Sequence, residues 1–183
     1  MVADKKALWR FRHAQQCFEY AATTSGMIIR EKWPLDHPLI YQISIAIVVL
    51  YARPFTNCYG LGSLGQDFVP SEYRSKHERL MAMRHRVFAH YDVTDHAAPA
   101  TVDLTAEMRF NLTGSKLILE LKETPLINEA FDQVKELSEA LEKKCRWQIE
   151  KIVNKYKKGL PKKDGVYKFD LRDEKKFLGN PAS

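Results

Sequence analysis

The sequence predicts a mainly α-helical protein, an up-and-down helical bundle of four main helices with a β-hairpin insertion before the last helix. Three observations predict it. Apolar residues recur at threes and fours through each long segment, the period of a helix buried along one side. The breaks between these segments are short and carry Pro or Gly. Only residues 101–122 change to a period of two, around a turn-like stretch at 111–115 that holds Gly114.

Residues 4–32 read as the first helix. Asp4 suits its cap, and Leu8, Phe11, Phe18, Ala22 and Ile29 make one apolar face. Thr23, Thr24, Ser25 and Gly26 are weak helix formers and mark a place for a kink. Trp33-Pro34 ends the segment, because the residue before proline is pushed out of the helical region. Asp36 then caps a second helix, with Pro38 in its first turn, where a missing N–H costs nothing. Residues 39–52 are almost wholly apolar. Their length is too great for a strand and too short for a membrane span, so they read as a buried central helix.

Residues 56–70 read as a loop. Gly60, Gly62 and Gly65 have the GxGxxG spacing, but that fingerprint needs a strand before it and a helix after it. With a helix before it and Pro70 after it, the glycine run reads as a connector. Ser71 caps a third helix that runs to about residue 91, and residues 96–99 break the pattern. Val102, Leu104 and Ala106 alternate, as do Leu117, Leu119 and Leu121, which gives the hairpin. An isolated hairpin is marginal, so it is expected to pack on the bundle. Pro125 opens the last helix, to about residue 156. Its stripe of Ile127, Phe131, Val134, Leu137, Leu141, Cys145, Ile149, Ile152 and Tyr156 reads as core. Gly159-Leu160-Pro161 closes the domain, and residues 166–169 suit a short edge strand. The division is therefore a helical domain over 1–158, with the hairpin at about 101–122, and a tail over 159–183.

At 183 residues the chain is long enough for one sizeable core. Its +6 charge is uneven: residues 155–183 hold nine Lys/Arg against four acids, residues 1–154 twenty against nineteen. A basic tail can attract nucleic-acid phosphates without specificity; the plainer reading is a solvated terminus. Cys17, Cys58 and Cys145 are odd in number and widely spaced, which excludes a disulfide framework and gives no metal-ligand spacing. No cofactor is expected. The N-terminus leads into an amphipathic helix and not an apolar signal region, so a cytoplasmic protein without membrane attachment is the expectation.

The third helix is chemically unusual. Residues 73–91 carry five Lys/Arg, three His and one acid, Glu78, along an apolar stripe. Buried cations need partners, so such a helix suggests a site as well as a core. On a helical wheel Tyr73, Leu80, Arg84, Val87 and Tyr91 share the apolar face, while Arg79, Met83, Arg86 and His90 share the next.

The run Arg84-His85-Arg86-Val87-Phe88-Ala89-His90-Tyr91-Asp92 resembles the Arg–x(4–6)–His signature of HEPN domains. These are small, largely helical prokaryotic proteins. Many are metal-independent endoribonucleases of toxin–antitoxin and abortive-infection systems; others only bind or assemble. The resemblance covers these nine residues and the helical layout of residues 4–158. It implies a catalytic Arg84 and His90, with Arg86 the arginine that the wheel aligns with His90. It also implies an RNA substrate and a homodimer in which Arg and His of two copies meet, with an antitoxin protein as a further partner. His85 departs from the family, which usually has Asn or Asp there.

Metal-free RNA cleavage needs a base, an acid and a cation. His90 titrates near neutrality and can serve as base or acid. An arginine can clamp phosphate oxygens. Arg79, His85 and Tyr91 are the candidates for holding RNA. The alternative is a non-catalytic HEPN-like module that binds nucleic acid, nucleotide or a protein partner. A third reading makes the Arg/His cluster an internal structural network, with His90 bonded to a carboxylate such as Asp92 or Asp95. His13, His37, His77 and His96 read as ordinary surface or core histidines.

Overall fold

The computed structural model describes residues 1–57, 60–84, 107–113, 116–122, 128–160, 167, 170 and 171. Its elements are α1 (Val2–Arg30), α2 (Ile40–Ala52), α3 (Arg74–Met83), β1 (Glu107–Thr113), β2 (Lys116–Lys122) and α4 (Asn128–Lys155). The protein is mainly helical, as its periodicity predicts. Among the described residues no helix is long and apolar enough to cross a membrane.

The core is built where α1 and α4 lie against each other. Asp4 meets Lys155, Gln15 meets Glu142 and Gly26 sits beside Lys135, so the two helices run antiparallel along their length. Ala14, Phe18 and Ala21 of α1 and Phe131, Val134, Leu137, Leu141 and Cys145 of α4 are fully buried. Small residues on α1 let the larger side chains of α4 interdigitate. Leu8, Phe11 and Ile29, expected on the core face, are only half-buried. Helix α1 runs unbroken through 23–26, where the sequence predicts room for a kink. Ser25 there is buried, and tertiary burial outweighs its weak propensity.

Helix α2 packs on α1 through Ile47, Val48, Tyr51 and Ala52. It is not the buried central helix its composition predicts. Leu39 and Val49 are exposed, and the centre belongs to α1 and α4. Two long amphipathic helices offer more matched surface than one helix of thirteen residues can.

All three predicted caps are overturned. Helix α1 starts at Val2, and Asp4 lies inside its first turn. There its carboxylate accepts from Lys155 Nζ and Tyr156 Oη, both at 2.6 Å, which hold it below the usual carboxylate range. Helix α2 is capped at Leu39. His37, not Asp36, serves the turn: its Nδ1 accepts from the Leu39 N–H at 3.2 Å, and its ring lies 4.2 Å from that of Trp33. Pro38 precedes the cap. Ser71 opens a short 3₁₀ turn, Ser71–Tyr73, and α3 follows it from Arg74. A cap works only while no better partner competes for the side chain.

Strands β1 and β2 pair antiparallel from Glu107↔Lys122 to Thr113↔Lys116. Residues 111–113, predicted in the turn, belong to β1, so the connection is two residues long. The alternating 102–106 run lies outside the described residues. Helix α4 is described from Asn128 onward; the predicted start at Pro125 lies outside the described residues. In the tail, Tyr167 makes an isolated bridge where a short strand was expected; its neighbours 166, 168 and 169 lie outside the described residues. The tail is not solvated throughout: the Asp170 carbonyl accepts from Lys5 Nζ at 2.9 Å, and Lys5 is buried.

Candidate functional site

Helix α3 ends at Met83, and Arg84, the first residue of the Arg–x–His run, is its C-cap. His77 and Leu80 are its buried positions, and Arg84 continues that face one turn further on, half-buried. The backbone stays helical at Arg84, with φ −57° and ψ −45°. Arg84 therefore lies on the buried stripe, as the wheel predicts, and Arg79 is exposed on the next face. His85, Arg86, His90 and Tyr91 lie outside the described residues.

A buried polar contact fixes α3 to α2. Tyr51 Oη and His77 Nδ1 are hydrogen-bonded at 2.7 Å. The His77 ring also meets Phe55 edge-on at 4.4 Å. Burial pushes the imidazole below its ordinary pKa, against a smaller opposing pull from Glu78, and pushes the Tyr51 phenol well above its own. Both groups are thus neutral, the state in which one can donate and the other accept. His77 is a structural anchor. Its nitrogen is spent inside the core, and it is not placed to move a substrate proton.

The outer side of α3 is tied to α4 by exposed polar groups. Tyr73 Oη donates to Glu136 Oε1 at 2.9 Å, and Lys76 Nζ to Glu136 Oε2 at 3.2 Å. Tyr73 and then Lys76 hold the Glu136 carboxyl below its usual range. Beside this pair lies a small crevice lined by Arg79, Leu80, Met83, Ala130 and Gln133. Arg79 is exposed there, while Lys76, which also lines the crevice, is already paired with Glu136.

Among the described residues the other His and Cys side chains are at least half-buried. His13 is half-buried, and burial first and Arg53 second lower its pKa. Cys17 and Cys145 are buried, and burial pushes the Cys145 thiol up to about 12, which keeps it protonated and inert. Among the described residues no three His, Cys, Asp or Glu gather as a metal site. The glycine run leads into a three-residue 3₁₀ turn, Gln66–Phe68, and not into the helix a pyrophosphate requires. Gly60 and Gly62 have φ of +77° and +74°, and the Leu61 carbonyl accepts from Arg10 Nη1 at 3.4 Å, so this loop is a connector held on α1.

Sequence reasoning missed the Tyr51–His77 pair. The wheel held the signal, since His77 falls on the same face as Leu80 and Arg84. Lys5 and Asp4 left no such signal, because their partners lie more than 150 residues away. Compared with known proteins, the chain matches no family model, no curated protein and no solved structure.

Proposed function

We propose that the chain is a HEPN-like RNA-directed protein, a metal-independent endoribonuclease of a toxin or phage-defence system that works in the cytoplasm. The observation that carries this reading is the course of α3. It enters the Arg84–His90 run in helical conformation, with Arg84 on the stripe that Leu80 buries. An arginine so held offers a fixed cation, and a fixed cation stabilises a developing phosphorane better than a mobile one.

The proposed chemistry is transesterification. A histidine, His90, takes the 2′-hydroxyl proton; the 2′-oxygen attacks phosphorus; an acid protonates the leaving 5′-oxygen. The products are a 2′,3′-cyclic phosphate and a 5′-hydroxyl. Arg84 and Arg86 clamp the phosphate oxygens, and Arg79, His85 and Tyr91 hold flanking RNA. The finer architecture belongs to the same proposal: four up-and-down helices with the β1–β2 hairpin as an insertion and residues 159–183 as a basic tail. A homodimer completes the site. The exposed Val49 of α2, the helix on which α3 packs, and Leu39 at its N-cap support such an interface. An antitoxin is the natural further partner.

Incubation with total RNA in EDTA tests this. Cleavage that persists in EDTA and is lost in His90→Ala is the expected result. Retention of RNA without cleavage makes the chain a binding module instead. Arg84→Ala should lose activity together with about 1–3 kcal/mol of stability, because Arg84 is half-buried. Arg86→Ala should lose activity alone.

A further inference from the structure

The last three turns of α4 and the 3₁₀ turn after them have a character the helix lacks elsewhere. From residue 143 to 158 the chain holds seven Lys or Arg and one acid, Glu150. At 100° per residue, Lys143, Trp147, Lys151 and Asn154 fall within about 80° of one another, opposite the buried Leu141 and Cys145. Lys143, Lys151, Asn154, Lys157 and Lys158 are all exposed. Trp147 stands in the middle of this strip with 52% of its surface exposed. The Lys151 ammonium sits 4.3 Å from its ring centroid. Other cations of this region are already engaged. Lys144 Nζ donates to the Phe68 carbonyl, Lys155 pairs with Asp4 and Arg146 pairs with Glu142.

An exposed tryptophan gains nothing for the core, and the lysines on either side of it leave the strip net positive even with the exposed Glu150 at its edge. Both features become favourable against one kind of partner. A polyanion with flat apolar faces can place a base on the indole and its phosphates on the lysines. A duplex buries its base faces in its own stack, so the fit is to an unpaired strand. From residue 143 to 155 the strip is about 18 Å long, room on the order of five stacked nucleotides.

We infer that this face of α4 is a docking strip for single-stranded RNA, with Trp147 as the base-stacking platform and Lys143 and Lys151 as phosphate contacts. The strip rests on the RNA-directed reading above but uses none of the residues of the Arg84–His90 run. It would hold substrate, and cleavage would lie elsewhere.

The test uses the full chain and a fluorescently labelled 12-nucleotide 2′-O-methyl RNA, which binds but offers no 2′-hydroxyl for cleavage. Trp147→Ala should weaken binding about tenfold, and Trp147→Phe should keep most of the affinity. Lys143→Gln with Lys151→Gln should lower the slope of log affinity against log salt by about 1.4, two single-strand phosphate contacts. All variants should melt where the parent does, since these side chains are exposed. Binding by Trp147→Ala within twofold of the parent overturns the strip. So does equal displacement of the probe by polyglutamate and by unlabelled single strand, which would make the face a site for acidic proteins. The two readings fail separately. Weakened binding in Trp147→Ala together with undiminished cleavage by His90→Ala leaves the strip and removes the catalytic site; the converse removes only the strip.

Discussion

Two of the polar ties between helices of this fold are opposites. Tyr51–His77 joins α2 to α3 by one hydrogen bond between neutral groups, 0% and 3% exposed, packed on the Phe55 ring. Asp4–Lys155–Tyr156 joins the ends of α1 and α4 by charged bonds, shorter at 2.6 Å, at a surface where the Lys155 side chain is 62% exposed. Distance alone would rank the charged tie as the stronger. Water decides otherwise. An exposed ion pair exchanges one good environment for another. A buried neutral pair has no alternative partner, so losing half of it leaves the other half stranded. The tie that matters is therefore the one on the same face as Arg84, seven residues before it.

The sharpest way to break this comparison is His77→Ala. It opens a cavity beside Phe55 and orphans the Tyr51 hydroxyl, and should cost about 2–4 kcal/mol by denaturant melt. A cost equal to that of an Asp4 variant would show that burial has not made the difference claimed. Tyr51→Phe keeps the ring and removes only the hydroxyl. It should cost about 1–3 kcal/mol, the penalty of an unsatisfied imidazole nitrogen in the core.

Acid separates the two ties more finely. The folded His77 takes a proton less readily than its ordinary 6.5 allows, so below that value the unfolded chain binds more protons and stability falls with pH. His13 is shifted the same way and adds to the same window. Asp4 acts later: its contribution is full above the ordinary 3.8 and is lost as pH falls through its lower folded value. Melting temperature should therefore drop first just below pH 6.5, and His77→Gln should flatten that first drop while leaving the later one. An unchanged first drop in that variant would, among the described residues, assign it to His13. The smallest effect belongs to Asp4→Asn at neutral pH, a shift in melting temperature below that of either buried variant, and smaller still in high salt.

The stripes of α1 and α4 were legible because periodicity is a property of neighbouring residues and burial follows it directly. The caps were not. Asp4, Asp36 and Ser71 each satisfy a local rule, yet Asp4 answers to Lys155 and Tyr156 at the far end of the chain, and the turn before α2 belongs to His37. Local capping competes with tertiary partners that no window of sequence contains. Helix α2 was misjudged for a related reason. Its apolar content says that it avoids water, but only the length of its neighbours says who takes the centre. Of the proposed site, the wheel was right about Arg84 and Arg79. It could also have flagged His77, had a histidine on an apolar face been read as a packing residue with a partner to find.

The pairing of α1 with α4 sets a schedule for synthesis. Helix α1 ends at Arg30 and α4 begins at Asn128. On a ribosome adding 5–20 residues each second, the face of Ala14, Phe18 and Ala21 waits roughly 5–20 s for the helix that covers it. Nothing made earlier can substitute for α4 there, since α2 covers only part of that face. For those seconds the nascent chain presents its stickiest surface to the cell, and its yield depends on what meets that surface first.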